Sequence, residues 1–100
     1  MMTLTELEPR WITPDMFIFR CPHCQKVWLS AKRVKMTRSQ VWDALRTALG
    51  DQWNEIAVPP KPEALWVMSN DYFESMSVGP SIDASASGHW HGFIKNGMIQ

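Results

Sequence analysis

The chain has little with which to coat a polyanion or to staple itself covalently. Its 100 residues carry ten Lys plus Arg against ten Asp plus Glu, a formal net charge of zero. No excess of one sign therefore argues for a nucleic-acid coat or a charged membrane surface. Only two cysteines are present, three positions apart, which excludes a disulfide framework. No uninterrupted apolar run approaches the roughly 18 residues of a membrane-spanning helix. The opening stretch 1–9 is polar and acidic, with Glu6 and Glu8, and has no basic region followed by an apolar one. A secretory signal is thus not expected, and the expected location is the cytoplasm.

What is present is bulk. Six Trp, four Phe and seven Met stand among 45% hydrophobic residues, too many for a disordered tail. One small domain fits this length, and a domain of this size needs large side chains, a metal or a partner to complete its core. Residues 1–12 read as an N-terminal arm and residues 13–100 as a single domain.

Along the chain, Met16-Phe17-Ile18-Phe19 reads as a buried strand and Val27-Trp28-Leu29 as its hairpin partner, with Cys21-Pro22-His23-Cys24 at the tip. Thr37 and Gln40 have capping-box spacing and Gly50 is a natural stop, which predicts a helix over 38–49. Val41, Trp42, Leu45, Ala48 and Leu49 would form its packed face, Trp42 and Leu45 against the sheet. Pro59, Pro60 and Pro62 predict an extended connector. Ala64 to Met68 then reads as a central strand, and Tyr72 and Phe73 as anchors of an irregular stretch. His89 to Lys95 has strand character, and Asn96-Gly97 is a strong hairpin turn before Met98-Ile99-Gln100. The expected fold class is α+β: a small antiparallel or mixed sheet, one packed helix, an N-terminal Cys-x-x-Cys hairpin and a C-terminal hairpin. Six cations between Lys26 and Arg46, opposed only by Asp43, read as a solvated face rather than a phosphate track, so a nucleic-acid partner is not expected.

Two groups of residues can carry chemistry. Cys21 and Cys24 at a hairpin tip form half of a tetrahedral zinc site, for which only His23, His89 and His91 offer imidazoles. A Cys2His2 site with His89 and His91 would tie the first hairpin to the last. The same four residues also resemble a redox motif, which requires the first cysteine at a helix N-terminus. Two reduced thiols in a tight turn are the third reading.

The second group is Gly79-Pro80-Ser81-Ile82-Asp83 with the strand that contains His91. If these segments pair across residues 84–88, Ser81 and His91 come within hydrogen-bond reach, as a nucleophilic hydroxyl and its base require. Asp83 or a backbone carbonyl would orient the imidazole, as the third member of a triad does.

Pro80-Ser81-Ile82 followed by His91-Gly92-Phe93-Ile94-Lys95-Asn96-Gly97-Met98-Ile99 resembles the terminal signature of the BubE-like family of small bacterial and phage domains. That signature runs Pro-Ser-Ile, a short variable loop, then His-x-Phe-Ile-x-x-Gly-x-Ile. The resemblance is closest over residues 64–100, and the Cys21–Cys24 hairpin and Trp66 also recur in some members. Members often carry a cysteine where Gly88 stands. The family includes the serine-type peptidase of bacterial ubiquitin-like Bub operons, so the resemblance implies Ser81 as nucleophile and His91 as base. It further implies a protein substrate, the tail of a ubiquitin-like protein or its conjugates.

A non-enzymatic alternative is a zinc-stapled interaction module, for instance a phage protein occupying a host defence factor. Tryptophan is favoured at such contacts, and Trp11, in the polar lead-in, is the candidate. The two readings compete for His91, because an imidazole that coordinates zinc cannot also be the free base.

Overall fold

The computed structural model describes residues 2–100. Its architecture follows from one strand that has no solvent face. Strand β2 (Met16–Arg20) lies between β1 (Arg10–Thr13) and β3 (Trp28–Lys32) in a three-stranded antiparallel sheet. Met16, Phe17, Ile18 and Phe19 are all fully buried. Strand side chains alternate between faces, and here each face has its own cover. Phe17 and Phe19 pack with Leu29, Ala31, Val78, Ile82 and Ile94 toward a second sheet. Met16 and Ile18 pack with Trp28, Val41, Leu45 and Trp53 toward the helices α1 (Arg38–Leu49) and α2 (Trp53–Ile56). The layers are therefore helix, sheet, sheet. A strand covered on both sides reads as a continuous apolar run rather than an alternation.

The second sheet is antiparallel with the order β4-β5-β6-β7, formed by Val67–Met68, Val78–Asp83, His91–Lys95 and Met98–Ile99. The protein is thus α+β, with one main helix and two antiparallel sheets. The helix begins at the Thr37–Gln40 capping box, with both reciprocal bonds formed, and Gly50 receives the chain at its end. The Asn96-Gly97 turn joins β6 to β7 with both residues at positive φ. A side chain at Gly97 would collide with the Glu74 carbonyl. No helix among the described residues is long and apolar enough to cross a membrane.

Several expectations are corrected. Residues 1–12 do not form an arm over their described part. Leu4 and Leu7 are buried in a short 3-10 turn capped by Thr3 and Glu6, and Arg10–Thr13 is the outer strand of the first sheet. Two isolated leucines in a polar context are too sparse for a periodicity, yet each fills the space beneath β2. Trp11 is not a free contact residue: it lies 5.4 Å from Phe17 and stacks on Phe73 at 5.6 Å between ring centres. Trp42 is 40% exposed, whereas Leu45 is fully buried. Phe73 is an anchor, while Tyr72 is exposed. The Ala64–Met68 strand shrinks to Val67–Met68 at the sheet edge. The Lys32 ammonium explains why: it takes the carbonyls of Pro62 and Ala64, and the Trp66 N–H bonds the Lys32 carbonyl at 2.9 Å. Residues 62–66 are thereby committed to the end of β3. Of the basic stretch, Lys32 is buried and Arg33 is paired with Asp15 and Asp71.

Leu4→Ala and Leu45→Ala should each lower unfolding stability by about 2–5 kcal/mol, the cost of a cavity in a packed core. Trp42→Ala should cost clearly less than either. Denaturant unfolding of the three variants checks the ranking.

Candidate functional site

Strand β6 alternates exposed and buried, with Gly92 and Ile94 inward and His91, Phe93 and Lys95 outward. The packing of Ile94 under the second sheet thus fixes His91 on the open face. Strand β5 pairs with it through Val78↔Ile94, Ile82↔Gly92 and Asp83↔His91. Between the first two of these pairs three residues of β5, Gly79, Pro80 and Ser81, face the single Phe93 of β6, so they bulge from the ladder. A bulge re-aims a side chain. Here it brings the Ser81 Oγ to 3.2 Å from the His91 Nε2. The Trp66 indole N–H donates to the Ser81 carbonyl at 3.3 Å, holding the serine backbone from the other side.

Asp83 does not orient this imidazole. Its carboxylate accepts from the Ser85 hydroxyl at 2.6 Å and the Ser85 N–H at 2.9 Å. Those two bonds hold it below the usual carboxylate range, and the nearby His91 and Lys61 add smaller Coulombic contributions. Asp83 is therefore a fixed negative charge beside His91, not a hydrogen-bonded third member. Among the described residues, His91 Nδ1 has no hydrogen-bond partner.

Two hollows lie on either side of the β5 bulge. One, of about 360 Å³, is lined by Ser81 and Asp83 with Pro59, Pro60, Lys61 and Trp66. The other, of about 660 Å³, is bordered by Gly79 and Pro80 and is mostly apolar.

The two cysteines lie at the β2–β3 hairpin tip, as their spacing suggests. The turn is closed by Gln25 N–H to the Cys21 carbonyl (2.7 Å) and Cys21 N–H to the Val27 carbonyl (2.9 Å). Gln25 takes a left-handed conformation with φ of 57°. Cys21 is buried and Cys24 half-buried, both as free thiols. His89 reaches them from the second sheet. The expected strand 89–95 begins only at His91, because a 3-10 turn at Ser85–Ser87 ends in left-handed Gly88. The His89 N–H returns to the Ala84 carbonyl at 3.0 Å, and its Nδ1 lies 3.6 Å from Cys24 Sγ. The ligand atoms of Cys21, Cys24 and His89 all fall within 4.8 Å of one another, close enough to hold a metal ion.

His91 and His23 lie outside this group, so the Cys2His2 arrangement is replaced by Cys2His. His89 serves the thiols and His91 serves Ser81. The thioredoxin-like reading also fails, since the segment after Cys24 leads into β3 and not into a helix. The role of Trp66 at the serine carbonyl, and the proline strap forming one wall, had no signal in the sequence, because both depend on where Lys32 holds residues 62–64.

The Cys24 thiol is lowered to about 7, chiefly by the Lys26 and Val27 N–H groups, against burial, with Cys21 and His89 assisting. In metal-free protein, alkylation of Cys24 by iodoacetamide should therefore rise steeply through pH about 7. Buried Cys21 should react slowly throughout. Quantifying the two modified peptides by mass spectrometry checks both expectations.

Comparison with protein-family models, with curated proteins and with solved structures gives no match, so the reading of this site stands on its own geometry.

Proposed function

We propose that this chain is a small serine-type peptidase or isopeptidase-like domain. Ser81 is the nucleophile and His91 the general base, and the substrate is the tail of a ubiquitin-like protein or its conjugates. The observation that carries the reading is the 3.2 Å approach of His91 Nε2 to Ser81 Oγ on an open sheet face. A serine hydroxyl is a weak nucleophile until a base within about 2.6–3.2 Å can take its proton. In the first step Ser81 Oγ bonds the scissile carbonyl carbon while its proton passes to His91 Nε2. The C–N bond then breaks, and the same proton leaves on the departing amine. Water, deprotonated by His91, next attacks the acyl-serine carbonyl; the C–Oγ bond breaks, the acid leaves, and Ser81 Oγ takes the proton back from His91. The fixed carboxylate of Asp83 favours the imidazolium formed on the way. The Trp66 bond to the Ser81 carbonyl keeps the nucleophile's backbone from turning away.

The Cys2His group supplies three of the four donors that a structural zinc takes in the same reading. Soft thiolates and an imidazole are donors that zinc accepts, with bonds of about 2.3 Å to sulfur and about 2.0–2.1 Å to nitrogen. A tetrahedron with those bonds has a sulfur-to-nitrogen edge of about 3.6 Å. That is the separation of Cys24 Sγ and His89 Nδ1. Cys21 and Cys24 lie on the first sheet's hairpin and His89 on the second sheet's turn, so the ion would tie the two sheets together.

A second reading keeps the zinc clamp without catalysis: an interaction module, phage-borne or bacterial, that occupies a host factor. It is favoured by apolar groups left in solvent on the second sheet, above all Val67 and Phe93. The two readings differ in whether Ser81 reacts.

A small fluorophosphonate should label Ser81, releasing fluoride, and label it far more slowly in His91→Ala. Hydrolysis of a ubiquitin-like tail should be abolished in Ser81→Ala and fall about 100- to 10,000-fold in His91→Ala. The double variant should be scarcely worse than Ser81→Ala alone. His89→Ala should leave labelling largely intact. Absence of labelling in folded wild-type protein would hand the site to the interaction module.

Purified protein should carry about one equivalent of zinc, and chelation should lower Tm. A loss of only 1–2 kcal/mol shifts a domain of this size by about 5–15 °C. Cys24→Ala and His89→Ala should remove the chelator effect, whereas His23→Ala should preserve it.

A further inference from the structure

The larger hollow beside Ser81 is used neither by the fold nor by the Ser81–His91 pair. It runs along the outer face of the second sheet, bordered by the β5 bulge at Gly79 and Pro80, by Phe93 and Lys95 of β6, and by Val67 of β4. Its volume of about 660 Å³ lies within the range of about 300–1,000 Å³ usual for ligand sites. Two of its walls are costly as mere surface. Val67 is 77% exposed and Phe93 is 46% exposed, and both belong to strands whose inward neighbours already fill the core. Apolar groups gathered around a concavity beside polar catalytic groups mark a place where something apolar is received.

The hollow borders the residues next to the reactive pair, though neither Ser81 nor His91 lines it. Pro80 directly precedes Ser81, and Phe93 stands two positions after His91 on the same face of β6. The charge around it has one sign. Lys95 is the single ionised group in its lining, and no carboxylate lies within ion-pair distance of it among the described residues. Its ammonium instead lies 5.8 Å from the Phe93 ring centre.

The geometry points to a specificity subsite for an extended polypeptide with a bulky aliphatic side chain close to the scissile bond. That side chain sits among Val67, Pro80 and Phe93. A carboxylate on the same substrate, from an acidic side chain or a chain terminus, pairs with Lys95. This subsite rests on the reading of Ser81 as a nucleophile, and it narrows the substrate from any peptide tail to an aliphatic and acidic one. Methylene-sized differences in such pockets discriminate about 10- to 200-fold.

The test uses the full chain and two independent readouts. Tetrapeptidyl diphenyl phosphonates acylate nothing but bond a reactive serine through phosphorus and expel phenol. A series places Leu, Ala or Asp at each position in turn, and its labelling rates are compared with that of a small fluorophosphonate, which needs no subsite. At one position, wild-type protein should react at least tenfold faster with Leu than with Asp. Val67→Asp changes an exposed side chain and should bring that ratio close to one while leaving the fluorophosphonate rate unchanged. Lys95→Ala should lower the rate several-fold only for probes that carry a carboxylate. Equal rates for Leu and Asp probes in wild type, or a ratio that survives Val67→Asp, would overturn the subsite while labelling of Ser81 upheld the nucleophile. The second readout is amide chemical shift on adding the unreactive Leu tetrapeptide. Shifts confined to residues around Val67 and Phe93 support the groove even if no phosphonate labels, in which case it is the nucleophile that falls. No shifts and no Leu preference would remove the groove outright.

Discussion

Everything in this fold depends on β2 being covered on both faces. A strand whose Met16, Phe17, Ile18 and Phe19 are all excluded from water needs two separate covers, and each cover fixes the placement of something else. The helical cover uses Val41 and Leu45 and leaves the opposite side of α1 free. The other cover is a whole second sheet, whose inner face is spent on Val78, Ile82 and Ile94. With that face spent, every residue alternating with them is turned outward. Ser81, His91, Phe93 and Lys95 are on the surface because their neighbours are needed inside. The site is thus a by-product of core packing in the layer beneath it.

The histidines show how little sequence distance means when a turn intervenes. His89 and His91 are two apart, and on one continuous strand they would share a face. Left-handed Gly88 and the Ala84 carbonyl hold His89 in the turn, so the strand starts two residues later. One imidazole is delivered to the thiols of the first sheet and the other to the serine of the second. The conflict over His91 is resolved by backbone geometry alone, and a metal and a serine–histidine pair can coexist within a few residues.

Much of this was legible in the chain. The helix limits are those marked by Thr37, Gln40 and Gly50, because capping is chemistry within a few residues. Asn96-Gly97 and the cysteine hairpin were readable for the same reason. The approach of Ser81 to His91 could be anticipated because both segments are extended and joined by a short loop. What was hidden is non-local. Leu4 and Leu7 become core only when a β-strand pair arrives above them. Trp42 satisfies the helical period but lies at the margin of the buried face. Ala64–Met68 has the composition of a central strand, and is drawn from the ladder by an ammonium group on Lys32, some thirty residues earlier. Burial also lowers the affinity of that ammonium for its proton, against the raising influence of Glu63. Nothing in the local composition reports any of this.

The described start of the chain is sewn to residues near position 100. Leu4 N–H bonds the Gly97 carbonyl at 2.8 Å, Ile99 N–H bonds the Met2 carbonyl at 3.0 Å, and Thr3 bridges Met98. On a ribosome these contacts must wait for residues 97–99. The first sheet, with its nearest-neighbour hairpins, can form as soon as it emerges, but Leu4 and Leu7 have no complete seat until residues 97–99 have been made. Contacts of such sequence separation are slow to close in any chain. The cover of Phe17 and Phe19 on that side is complete only when both ends of this stretch are in place.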